Sequence, residues 1–172
     1  LFPLDERNAA AIGYNMHSEE TRRAAMDAAR DSGSSALTGR VTLVQEIAGR
    51  TQAGFLIYAP VYGGGSIPGT LAGRRELLKG FVYAPFRADD LFEGIFGSEE
   101  LPHVAFRVYD GISTGDESLL HDSRLQGIAP SAAPDFTTTD TLRIAGRPWT
   151  VAFSSTPAFE SETPQQVWLP VL

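Results

Sequence analysis

The sequence predicts an α+β fold of two small subdomains, each a helix followed by antiparallel strands, joined near Arg87 to Asp89. Three observations carry this reading. An Ala-rich run of strong helix formers, Thr21 to Arg30, precedes a series of β-branched and aromatic runs. The same plan returns after residue 89, without a convincing residue-level repeat. A chain of 172 residues that is 42% hydrophobic and 20% charged has enough apolar material for a real core, as one domain or two half-size ones. The predicted units are therefore 1–88 and 89–172.

Leu1 to Asn15 mixes apolar residues with Pro3, Asp5 and Asn8 and shows no sustained period, so it reads as extended or loop. Ser18, followed by Glu19 and Glu20, offers a capping hydroxyl and first-turn acids, and Ser32-Gly33 offers a left-handed stop. A helix of about three turns lies between. Val41 to Val44 and Phe55 to Ala59 read as two antiparallel strands across a polar connection, Gly49 to Gly54. Gly63-Gly64-Gly65-Ser66 and Pro68-Gly69 break the pattern, and a helical turn through Gly73 to Lys79 leads to a third run, Gly80 to Phe86. Asp89 and Asp90 precede Leu91, Phe92, Ile95 and Phe96, whose spacing predicts a second helix. Three further strands follow at His103 to Tyr109, Leu142 to Ala145 and Trp149 to Ser154, with a polar stretch, Asp110 to Asp140, after the first.

Composition excludes several functions. Fourteen Lys plus Arg against 21 Asp plus Glu give a formal charge of −7, the wrong balance for tracking a phosphate backbone. All of that excess lies after residue 90. With no Cys, thiol nucleophiles, disulfides and Cys-ligated metals are ruled out together. The longest apolar stretch, around Gly54 to Val61, is far short of the roughly 20 residues of a membrane helix. Gly63 to Gly65 lacks the spacing of a phosphate loop and reads as a surface turn. His17, His103 and His121 are scattered, so no metal or other cofactor is expected. No Gly-x-Ser-x-Gly motif is present, which leaves a secreted hydrolase as the weakest reading. Aromatic and polar residues do concentrate at Tyr14-Asn15-Met16, Tyr58, Tyr62, Phe81 and Tyr83. That mix fits either a sheet core with its hydroxyls reaching solvent or a small-molecule pocket.

Six motifs in order carry a resemblance: Asn8 with Gly13-Tyr14-Asn15-Met16; Arg22-Arg23-Ala24-Ala25; Ala29-Arg30-Asp31-Ser32-Gly33; Thr42-Leu43-Val44-Gln45-Glu46; Tyr58-Ala59-Pro60-Val61-Tyr62; and Gly80-Phe81-Val82-Tyr83-Ala84-Pro85-Phe86-Arg87. Together they resemble the CHASE domain, the extracytoplasmic sensory module of bacterial histidine kinases and diguanylate cyclases and of plant cytokinin receptors. The likeness is strongest over residues 8 to 91 and looser over Leu142 to Phe153.

The resemblance implies a long N-terminal helix, which this chain is expected to begin after, and two PAS-like subdomains, the membrane-distal one holding a ligand. It implies a periplasmic or extracellular location, a parent protein anchored in the membrane, a homodimer formed through that parent, and an output enzyme elsewhere in it. The fragment itself would be a non-catalytic sensor. By the resemblance, Asn15, Leu43, Val44, Tyr58, Gly80, Phe81 and Val82 would line the pocket. Asn15 stands where the cytokinin receptors have an Asp that binds adenine, and an amide cannot accept twice as a carboxylate does. Tyr58 stands where they have a small hydroxyl residue, and its ring would fill space the ligand needs. The implied ligand is thus purine-like or another small organic metabolite, with cytokinin itself disfavoured. Arg23 and Asp31 read as anchors of the helix, Pro60 as a strand-edge residue and Trp149 as a core anchor of the second unit. The main alternative is a ligand-free dimerisation or protein-interaction module, which a Tyr58 that fills its own cavity would favour.

Overall fold

The computed structural model describes residues 9, 11–43, 52–96 and 104–162. Helix α1, Glu20–Ser32, is followed by strand β1, Ala36–Leu37, and by β2, Gly54–Tyr62. A short helix, α2, Leu71–Leu77, leads into β3, Leu78–Arg87, and α3 spans Ala88–Phe96. The second half contains β4, Val104–Asp110, β5, Leu119–Asp122, β6, Thr137–Ile144, β7, Arg147–Ser155, and α4, Pro157–Glu162. Two antiparallel sheets result, with strand orders β1-β2-β3 and β5-β4-β7-β6. The α+β class is as expected, whereas the three-strand meander of the first sheet begins on a different strand from the predicted Val41 to Val44.

Strand β2 organises the packing because both of its faces are covered. Alternate residues of a strand point to opposite faces. Phe55 and Ile57 enter a core shared with Phe106, Val108, Trp149 and Val151 of the second sheet and with Leu91 and Phe92 of α3. Leu56 and Tyr58, each 1% exposed, enter a second core with Ala25 and Ala29 of α1. Phe55 meets Trp149 edge-on at 4.9 Å and stacks on Phe86 at 5.2 Å, both favourable aromatic geometries. Trp149 is thus a core anchor, but of a core to which both sheets contribute.

Four local features differ from expectation. The strand paired with β2 is Ala36–Leu37; Val41, the start of the expected partner, makes only an isolated bridge to Gly54. Thr38 is the cause: its Oγ1 accepts from the Leu56 N–H at 2.9 Å and donates to the Gly39 carbonyl at 2.7 Å, so a side chain replaces the ladder and the chain turns. The end of the expected run, Val44, lies outside the described residues, as does His103. The helix cap is Glu19, because the Ser18 hydroxyl is already donated to the Asn15 carbonyl at 2.7 Å. Strand β5, in which Leu119 and Leu120 are the apolar residues, lies inside the stretch read as polar; Arg107 on Asp122 at 2.9 Å and the Ser123 hydroxyl accepting from the Phe106 N–H at 3.0 Å hold it. Ala145, expected at a strand end, has φ 44° and forms with Gly146, at φ 84°, the two-residue turn between β6 and β7.

Other readings stand. Gly33 closes α1 at φ 75° with its N–H donated to the Ala29 carbonyl. Pro60 is tolerated in β2 because the two-residue β1 pairs only with Ile57 and Tyr58, leaving the strand an edge beyond them. Asp31 ties α1 to α2 through Arg75 at 2.6 and 3.0 Å, and Arg23 donates to the His17 and Ser18 carbonyls at 3.3 and 3.4 Å.

Because Phe55 contacts both sheets' core, Phe55→Ala is expected to cost about 3–5 kcal/mol in denaturant unfolding. Loss of the two sheets should remain a single transition by circular dichroism and amide NMR; the first sheet melting separately would contradict a shared core.

Candidate functional site

Of the sequence-predicted residues, Leu43, Tyr58 and Phe81 lie at the face of the first sheet covered by α1. Arg22, Ala25 and Ala29 occupy positions i, i+3 and i+7 of α1 and are all buried, so the helix turns this stripe onto β2. The two alanines are small enough to let the helix backbone come close to Leu56 and Tyr58. Glu19 orients the first turn by accepting from the Thr21 and Arg22 N–H groups at 2.9 and 3.0 Å. Burial alone would raise the Glu19 pKa, but those two bonds and the Arg22 charge hold it below the usual carboxylate value.

Arg22 is only 4% exposed, which is unusual for a guanidinium and demands partners. One terminal amino group donates to the Thr42 carbonyl at 2.9 Å, the other to the Tyr14 hydroxyl at 3.3 Å, and Glu19 Oε2 lies 3.6 Å away. The guanidinium carbon sits 5.4 Å from the Tyr14 ring centre. Its Nε is buried with no partner among the described residues.

Tyr58 is the second incomplete group. Its ring packs edge-on to Phe81 at 6.0 Å and tilted to Tyr83 at 5.7 Å, while its hydroxyl is buried and unpaired among the described residues. Burial pushes its pKa up to about 12, with the Arg22 charge working in the opposite direction. Burial raises Tyr83 as well.

Leu43, Tyr58 and Phe81 therefore come together, joined by Tyr14 and Tyr83 from the same aromatic group and by Arg22. Leu43 presses against the backbone of Gly54, where any Cβ would lie 2.6 Å from its Cγ. The other predicted residues are placed differently. Asn15 is exposed and caps the single turn Met16–Ser18, its Oδ1 accepting from the His17 N–H at 3.1 Å. Val82 is 65% exposed and, with Gly80, lies on the opposite face of β3 from Phe81 and Tyr83. Val44 lies outside the described residues. Arg22 was missed as a site residue, although its spacing from Ala25 and Ala29 is the signal that turns it inward.

One cleft runs beside α1 and a second lies away from this face, and neither is lined by Tyr58 or Arg22. The first, of about 660 Å³, runs between α1 and the β6–β7 turn, past Ala24, Ala28, Ser35 and Arg147. The second, of about 480 Å³, lies where Arg40, Gln52 and Asp89 meet β5. Among the described residues, no group of three or more His, Asp or Glu is placed to hold a metal ion.

The family model for the CHASE domain matches residues 1–121, which include α1, the whole first sheet and β4. The chain belongs to the CHASE domain family. CHASE domains are extracytoplasmic sensory domains of signalling receptors. No curated protein matches the sequence. No helix among the described residues of this CHASE domain is long and apolar enough to cross a membrane.

The raised Tyr58 pKa has a stability consequence with a definite sign. Below about pH 10 the hydroxyl is neutral in both folded and unfolded chains, so its ionisation adds no pH dependence to stability there. Between that pH and about 12 the unfolded chain releases the proton while the folded one retains it, so folding stability should fall as pH rises through this window. Ultraviolet titration should reveal a late-ionising tyrosine that is absent from Tyr58→Phe; an unchanged late phase in that variant would assign it elsewhere.

Proposed function

We propose that this CHASE domain is the small-molecule sensor of a transmembrane signalling receptor, without catalytic activity of its own, and that ligand engages the α1 face of the first sheet. The supporting observation is the pair of unpaired buried atoms, the Tyr58 hydroxyl and Arg22 Nε, among aromatic walls. A buried donor without a partner costs about 1–3 kcal/mol, a penalty that a ligand offering an acceptor would remove. Leu43, Phe81 and Tyr83 would supply apolar contact, and Asn15 would lie at the exposed rim. A planar, purine-like or small organic metabolite with an acceptor at its edge fits this combination.

Binding here would change how α1 holds the first sheet. Arg22 grips the Thr42 carbonyl, and in the preceding turn the Arg40 N–H is donated to Asp110 of the second sheet at 2.8 Å. Asp110 also pairs with Arg147 of β7. That series of contacts gives a route from the ligand face to the residue 89–172 half, where the path to the membrane and a receptor homodimer would lie. A ligand moves such an equilibrium only by its affinity difference between the two states.

The second reading, a ligand-free interaction module, is favoured by the near-complete burial of Tyr58, whose ring occupies the space a ligand would enter. Thermal-shift screening with purines, amino acids and organic acids separates the two. A binder at 100 times its dissociation constant stabilises the domain by about 2.7 kcal/mol, whereas a filled core responds to none. Tyr58→Phe should raise ligand-free stability by about 1 kcal/mol, since it removes an unpaired hydroxyl, and should reduce the ligand-induced shift. A stabilising ligand whose shift survives both Tyr58→Phe and Arg22→Gln would place binding elsewhere.

A further inference from the structure

The cleft bounded by Arg40, Gln52, Asp89 and β5 contains a buried imidazole that nothing in the fold requires to be left incomplete. His121 forms part of its wall and is 1% exposed. It shares a face of the second sheet with Val108, its cross-strand partner, and stacks on Phe92 of α3 at 4.8 Å. Its Nδ1 lies 2.8 Å from Asp89 Oδ1, and its Nε2 is buried with no partner among the described residues. The cleft beside α1 has no residue with such an atom in its wall.

The chemistry around it defines a ligand. The tautomer that donates Nδ1–H to the Asp89 carboxylate presents a lone pair at Nε2, which asks for a donor. Arg40 lines the same cleft and is exposed; its Nε donates to the Leu119 carbonyl at 3.0 Å, while its terminal amino groups have no hydrogen bond among the described residues. Those amino groups ask for an anion, and a carboxylate matches their fork. The Asp122 charge does not oppose one, because Arg107 and Arg124 both neutralise it, at 2.9 and 2.6 Å. Gln52 rigidifies the far wall by accepting from the Asp89 and Asp90 N–H groups and donating to Asp90.

We propose that this cleft is a second ligand site, separate from the α1 face, for a small hydroxycarboxylate whose carboxylate pairs with Arg40 and whose hydroxyl donates to His121 Nε2. The site joins the turn after β1 to α3 and β5, so occupancy would brace the first sheet against the second.

The test is titration with each enantiomer of lactate, and with propionate, which keeps the carboxylate but lacks the hydroxyl, followed by NMR of the histidine ring nitrogens and the backbone amides. One lactate enantiomer should shift His121 Nε2 and the amides of Leu119 to Asp122 saturably at concentrations up to about 50 mM, with propionate about tenfold weaker. Arg40→Gln changes an exposed side chain, should keep the wild-type amide spectrum elsewhere, and should weaken the lactate response at least about tenfold. His121→Gln serves as a second variant where it folds. The proposal is overturned if lactate gives no saturable shift, if propionate binds equally well, if Arg40→Gln leaves the response unchanged, or if the shifts map to Leu43 and Tyr58 instead.

Discussion

The double burial of β2 is the constraint on which this structure depends. A strand with both faces covered must satisfy two sets of neighbours with one sequence, and Phe55-Leu56-Ile57-Tyr58 does so by sending alternate side chains to the second sheet and to α1. A one-residue slip would exchange Tyr58 for Ile57 under the helix and place a phenolic hydroxyl in the core shared with the second sheet. The register is secured by nine partners along β3 and by Thr38, whose hydroxyl and backbone N–H together bind both polar groups of Leu56. A change under α1 therefore has a path to the second sheet through these four residues.

Incomplete buried polar groups occur at several places in this scaffold, Trp149 Nε1 and the Gln126 amide among them, and three belong to the sites described above. Asp122 is the contrasting case: burial alone would raise its pKa, yet bonds from Arg124 and the charges of Arg124 and Arg107 hold it low. Tyr58, Arg22 and His121 have no comparable closure, and they fall on the α1 face and in the cleft beside β5, on the two sides of the shared core.

Much of this was legible in the sequence where a local rule decides the outcome. The alanines and Gly33 define α1, the acids of Asp89 and Asp90 announce α3, and β2 and β3 follow from their β-branched and aromatic runs. The rest was set by contacts between distant residues. Ser18 has the better capping chemistry, but Asn15 takes its hydroxyl and Glu19 caps instead. β1 lies at Ala36–Leu37 and not at Val41 because Thr38 side-chain bonding to β2 outcompetes strand propensity. β5 depends on Asp122 and Ser123, polar residues whose partners lie more than a dozen residues away. Within the site, aromatic clustering indicated Tyr58 and Phe81, and the family pattern indicated Leu43, whereas an arginine in an amphipathic helix reads as solvated until the helix is docked. Val82 followed from its neighbours in a motif, but alternation along β3 turns it away from Phe81.

The central claim is that the Tyr58 hydroxyl and Arg22 Nε are completed by ligand. A structure of the domain with a stabilising ligand bound tests it most directly. The account predicts ligand atoms within about 2.7–3.2 Å of one or both of these groups, with Tyr14 and Tyr83 rearranged around them. A bound ligand elsewhere, with Tyr58 and Arg22 unchanged beneath α1, would contradict it.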